Sequence, residues 1–172
     1  CTTTSWGQAG LNASAGGLGL RSAAAHAPAA FVASASATWS LCHELDPNFA
    51  WEAGDDSELA ASAGLLNASL ASADHVDVGR PPGEEEALAQ SDLSAKIETR
   101  QFEELLGRGS VEDKARLRAA AAPHAGAWLT SPATRALGLR LTSAEFWAAA
   151  LLRVGGALLP AEAWCPKCDQ VL

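Results

Sequence analysis

Alanine supplies 39 of the 172 residues and leucine another 23, against one isoleucine, no methionine and no tyrosine. Alanine and leucine head the helix-propensity order, whereas the β-branched and aromatic residues that favour strands are sparse here. The chain is therefore expected to be mainly α-helical, a bundle-like array with Gly/Pro-rich connections, and an all-β sandwich or barrel is disfavoured. The same bias thins the core. Apolar residues make up 48% of the chain, but alanine buries little area, so burial falls on leucine, six tryptophans and four phenylalanines. The length suits one domain of ordinary size.

The net charge is −8 and the isoelectric point about 4.9. A domain that grips phosphates should be basic or carry a clustered basic face. The 12 Lys and Arg are spread along the chain, so autonomous DNA or RNA binding is disfavoured. No run of apolar residues is long enough to cross a bilayer, so no membrane association is expected. No signal peptide is legible at the start, which points to an intracellular setting, cytoplasmic or nuclear. The chain opens at Cys1 and ends just after a cysteine pair, and reads as a piece of something longer.

Helices can be placed from caps and breakers. Ala-rich sequence from about Ser22 to Leu45 reads as a helix carrying Phe31, Val32, Trp39 and Leu41, which Pro28 should kink or restart. Asp46-Pro47-Asn48 reads as a turn. A second helix starts at Asp55 or Ser57 and runs to about Ala73, with Leu59, Leu65, Leu66 and Leu70 as its stripe. Gly79, Pro81, Pro82 and Gly83 break the chain before Glu84-Glu85-Glu86, which open a helix to about Leu106 that Gly107 and Gly109 stop. Ser110 and Asp113 form a capping-box pattern, Asp replacing the preferred Glu, for a short helix to Ala121. Residues 127–130 read as extended, and Leu137-Gly138-Leu139-Arg140-Leu141 alternates like a short strand. Thr142 or Ser143 caps a last helix from Ala144 to about Val154, ended by Gly155-Gly156. The organisation expected is a helical part over 1–74, a linker over 75–83 and a second helical part over 84–172.

Four cysteines occur, at 1, 42, 165 and 168. Cys165-Pro166-Lys167-Cys168 has the spacing at which two thiolates reach one zinc ion from a tight turn. A closed site needs four ligands. Cys1, Cys42 or the histidines, His26, His43, His75 and His124, are candidates, but no second close pair exists. A thioredoxin-like redox pair lacks its adjoining βαβ pattern. The glycines at 16, 17 and 19 invite comparison with a phosphate loop. Ser22 stands where the dinucleotide fingerprint needs glycine, and no Gly-Lys-Ser/Thr follows, so they read as a turn before a helix. His124 has a distinctive setting but suits a structural or capping role. Trp128 and Trp147 read as core residues. No catalytic or cofactor-binding residue is identified.

Three blocks, in this order, carry a resemblance: Gly16-Gly17-Leu18-Gly19-Leu20-Arg21-Ser22-Ala23 followed by His26-Ala27-Pro28-Ala29-Ala30-Phe31; Pro123-His124-Ala125-Gly126-Ala127-Trp128-Leu129-Thr130; and Cys165-Pro166-Lys167-Cys168-Asp169. Together they resemble the region C-terminal to the polymerase domain in reverse-transcriptase-like proteins of non-LTR retrotransposons. The stretch from Leu45 to Gly109 adds little to the likeness. The resemblance implies a non-catalytic segment of an RNA-directed DNA polymerase polyprotein. It also implies that Cys165 and Cys168 open a Cys-Cys-His-Cys zinc knuckle that handles nucleic acid in the parent, with the His and last Cys beyond Leu172. The aspartate motif for catalytic magnesium is absent from this sequence. With only half the ligands present, zinc adds no folding energy, and residues after about Gly155 are expected to form a loose, disordered loop.

Other readings lead elsewhere. An acidic helical module binding a protein partner through Leu/Trp faces would show an exposed apolar groove and no zinc dependence. A small redox enzyme would lower the pKa of Cys165. A decayed copy of an element would have no selected function.

Overall fold

The computed structural model describes residues 3–83, 86–136 and 138–158. Seven α-helices and one 3-10 turn make up its regular structure, and no strand occurs among the described residues. The helical class expected from composition holds. The chain forms two compact units, one from residues 1–20 with 104–172 and the other from Arg21–Glu103.

In the Arg21–Glu103 unit, α2 (Ala23–Leu45) is capped by Ser22, whose side chain accepts from the Ala25 amide. It continues through Pro28 rather than restarting there. A proline costs one intrahelical bond, which so long an Ala-rich helix with a buried face absorbs. That face is Ala29, Val32, Ala33 and Ser36, the i, i+3, i+4, i+7 spacing of one helix side. Small side chains at Ala29 and Ala33 let α3 (Glu58–Ala68) pack closely through Leu59, Ala63 and Leu66. Ser57 caps α3 as expected, but the helix ends at Ala68, five residues before Ala73, and a 3-10 turn at Ser72–Asp74 follows. Leu70 is buried, whereas Leu65, placed on the same stripe by the sequence reading, is 64% exposed.

Residues 75–83, read from composition as a linker, are partly packed inside this unit. The Asn67 side chain brackets Val76, donating to its carbonyl at 2.9 Å and accepting from its amide at 2.8 Å. Val76 and Val78 then lie against the core. Next, α4 (Gln90–Arg108) begins later than the acid run suggests. Glu86 binds the Arg80 guanidinium and the Gly83 amide in a turn, and the Leu88 amide donates to Ser36 Oγ at 2.9 Å. Those bonds compete with helical ones. Leu93 and Ile97, one turn apart, complete the core. Arg100 donates to the Leu70 carbonyl. The helix passes through Gly107 and stops at Arg108, before Gly109.

The other unit contains α1 (Thr3–Gly10), absent from the sequence reading. It also holds α5 (Val111–Ala120), the short α6 (Ala127–Thr130) and α7 (Ser143–Val154). Both predicted caps are in place, with reciprocal bonds in the Ser110–Asp113 and Thr142–Glu145 boxes. Residues 127–130 are helical, not extended. At 134–139 the Leu139 amide returns to the Thr134 carbonyl at 3.1 Å and Gly138 takes a φ of 66°. This turn replaces the expected strand; Leu137 lies outside the described residues. Trp147, expected in the core, is 65% exposed, while Trp128 is half-buried and meets Phe146 edge-on at 5.7 Å. The expected loose loop lies mostly beyond Leu158, outside the described residues.

Candidate functional site

Arg153, near the end of α7, is 7% exposed and spends its guanidinium on four backbone carbonyls. Nε donates to Gly17 at 2.9 Å, Nη1 to Ala125 at 2.9 Å, and Nη2 to Ala13 and to Ala120. Burial draws its pKa below the ordinary arginine value, yet a guanidinium stays charged. The segments it gathers are tightly built. A Cβ at Gly17 would lie 1.9 Å from the Leu11 carbonyl oxygen, and one at Gly126 would lie 2.7 Å from that of Ala13. His124 adopts a φ of 66°, a left-handed position that histidine tolerates better than most residues. The glycines at 16 and 17 form a turn, as expected, and that turn is locked by packing.

The remaining described histidines are dispersed. His26 Nδ1 lies 3.3 Å from Ser94 Oγ, and Ser94 shares a face of α4 with Glu98. The trio has the residue types of a hydrolytic triad but not the access. Ser94 and Glu98 are buried, and Glu98 is paired with Arg21 at 2.6 Å. His43 stacks on Trp39 with centroids 5.1 Å apart. Among the described residues no group of three or more His, Cys, Asp or Glu is arranged to hold a metal ion. Cys42, half-buried on α2, is a free thiol. The proposed zinc ligands Cys165 and Cys168 lie outside the described residues, as does Cys1. No described helix is long and apolar enough to cross a membrane.

Two cavities open on the Arg21–Glu103 unit. One, of about 300 Å³, is bordered by Asp74, His75, Arg80, Glu86 and Lys96. Arg80 pairs there with Glu86 at 2.8 Å and Lys96 with Asp74 at 3.2 Å, while Asp77, also on its border, accepts from the Gly79 amide. The other, of about 610 Å³, is a groove between α2, the loop after it and the start of α3. Phe31, Phe49 and Trp51 supply its aromatic surface, and Asp46, Glu52 and Glu58 line it with carboxylates. Behind it Trp39 touches three rings, with centroids at 5.1 Å from His43, 5.7 Å from Phe49 and 5.5 Å from Trp51. Among the described residues no ion pair engages Asp46, Glu52 or Glu58.

This groove was missed in the sequence because its aromatic residues read as core. A signal was nevertheless present. No Lys or Arg occurs between Arg21 and Arg80, while eight Asp and Glu do, so the whole net charge of −8 arises there and the rest of the chain is balanced. The basic residues are thus absent from one long stretch, residues 22–79, rather than evenly spread. Comparison with protein-family models, with curated proteins and with solved structures finds no match.

Proposed function

We propose that this chain is a non-catalytic helical segment of a retrotransposon reverse-transcriptase-like polyprotein, placed after the polymerase domain and serving there as a scaffold. One observation carries the reading. The two described blocks of the resemblance supply carbonyls to the same buried arginine, Gly17 from the first and Ala125 from the second. Residues that resemble the family are thus residues with packing duties, as a scaffold requires. The buried Ser94, the paired Glu98 and the dispersed histidines offer no open nucleophile–base pair.

In this reading Cys165 and Cys168 contribute two thiolates to a zinc knuckle that positions nucleic acid in the parent protein. Two cysteines two residues apart are half of a tetrahedral donor set. The test is the reading frame of the parent transcript beyond Cys168. The expected result is a histidine followed a few residues later by a cysteine, and a purified extended product that holds zinc and loses it in C165S/C168S. A frame without those ligands, or a metal-free product, overturns the zinc assignment. Absence of polymerase sequence upstream overturns the retroelement reading itself.

A further inference from the structure

We propose that the groove walled by Phe49 and Trp51 docks a basic, arginine- or lysine-rich segment of a partner protein. The inference goes beyond the scaffold reading and stands whether or not the parent is a polymerase.

The aromatic surface is exposed and already ordered. Phe31 and Phe49 remain 42% and 46% exposed, two of only four phenylalanines in a chain short of large apolar residues. Trp39 holds Phe49 and Trp51 in place from behind. Trp51 is anchored further by its indole N–H, which donates to the Val78 carbonyl at 2.8 Å. A wall ordered before binding loses little side-chain freedom when a ligand arrives.

Charge selects the ligand. Asp46, Glu52 and Glu58 line the same groove, and the unit around it carries no Lys or Arg from residue 22 to residue 79. Nucleic acid and anionic lipid are repelled by such a surface. An arginine or lysine side chain suits both components, because its aliphatic stem and cationic head pack on aromatic faces while the head meets carboxylates. Complementary charge across the contact speeds encounter and excludes acidic competitors. The contrast with the 300 Å³ cavity is instructive, since there the protein's own cations already pair with two carboxylates, Asp74 and Glu86.

The experiment titrates the full chain into a fluorescein-labelled peptide alternating arginine with leucine, and into its glutamate-for-arginine counterpart, reading anisotropy at low and high salt. The expected result is saturable binding of the basic peptide only. F49A should weaken it about tenfold, and E52Q/E58Q by a similar factor with a flatter salt dependence. The control E103Q/E112Q, which removes the same charge elsewhere, should change it less than about twofold. Far-UV circular dichroism confirms that each variant is folded. Equal losses in groove and control variants, or no saturable binding, overturn the proposal. So does a concentration-dependent dimer that F49A disperses, because a second copy then fills the groove.

Discussion

The side-chain amide of Gln8 donates to the backbone carbonyl of Arg153 at 2.8 Å, across 145 residues of chain. The same nitrogen reaches the Gly16 carbonyl at 3.0 Å, and Gln8 Oε1 accepts from Arg116 Nε and Nη2 at 3.4 Å. With 1% of its surface exposed, Gln8 ties α1 to α5 and α7. Arg153 then gathers the intervening segments through its own guanidinium. One short helix and one cation thus organise a unit whose apolar core is small.

Removing either member of this pair should be costly. R153K keeps the charge but cannot serve four carbonyls, and is expected to lower unfolding stability by about 3 kcal/mol. Q8A should cost about 2 kcal/mol by leaving buried acceptors unpaired. The double variant should lose less than the sum, because both act on one network. Urea denaturation checks all three; R153K within about 0.5 kcal/mol of the parent would sink the assignment.

Glycine substitutions should divide by sign. G17A places its Cβ 1.9 Å from a backbone oxygen and is expected to be the most damaging, by about 3 kcal/mol or more. G155A meets the Arg116 guanidinium at 2.3 Å and a φ of 69°, so about 1–2 kcal/mol is expected, the arginine being able to yield. Gly64, inside α3 with open space around it, should gain about 0.5–1 kcal/mol as alanine. Thermal melts of the three variants test the order, and a destabilised G64A contradicts it.

Two helix starts depend on side chains that close local bonds. S110A and T142A each remove the hydroxyl that accepts from the N3 amide, leaving the N-cap amide on the N3 carboxylate, and should cost about 1 kcal/mol. S143A, one residue inside α7, should be close to neutral. Equal effects of T142A and S143A on the urea midpoint would show that Thr142 is not the cap.

Stability should fall in mild acid through His26. Burial first, and the Arg21 cation second, hold its pKa below the ordinary histidine value, with Glu98 opposing. Well above about pH 6.5 both folded and unfolded chains carry it neutral, and nothing is gained or lost. As the pH drops through that value the unfolded chain takes up the proton first, so folding weakens until the lowered folded value is passed. The carboxylates of Asp113, held down first by Arg116, and of Glu145, held down first by the Thr142 amide, withdraw stability only further into acid. H26Q should therefore flatten the decline in urea midpoint between about pH 7 and pH 5.5. An undiminished decline in H26Q assigns the effect to other groups.

Much of the secondary structure was legible because its signals are local. Ser22, Ser57, Ser110 and Thr142 each cap a helix by reaching an amide three residues on. Gly155 ends α7 in the left-handed conformation. Errors arose where a distant partner competed with the helix. Leu88 gives its amide to Ser36, 52 residues away, and the turn at Glu86 delays α4. The groove was half legible, since the gap in Lys and Arg can be read directly, but the meeting of Trp39, Phe49 and Trp51 cannot.

The sequence by itself determined the helical class, the capped helix starts and the acidic character, because these follow from propensity, nearest-neighbour bonds and counting. Tertiary structure alone decided that Arg153 is an interior organiser. The acceptors it uses at Ala13, Gly17, Ala120 and Ala125 are backbone carbonyls. Every residue carries such an oxygen, so no side-chain pattern announces which four will converge. Folding also left Phe49 at the surface and Leu66 in the core. Burial depends on which faces find a partner, and that choice is made between residues far apart in the chain.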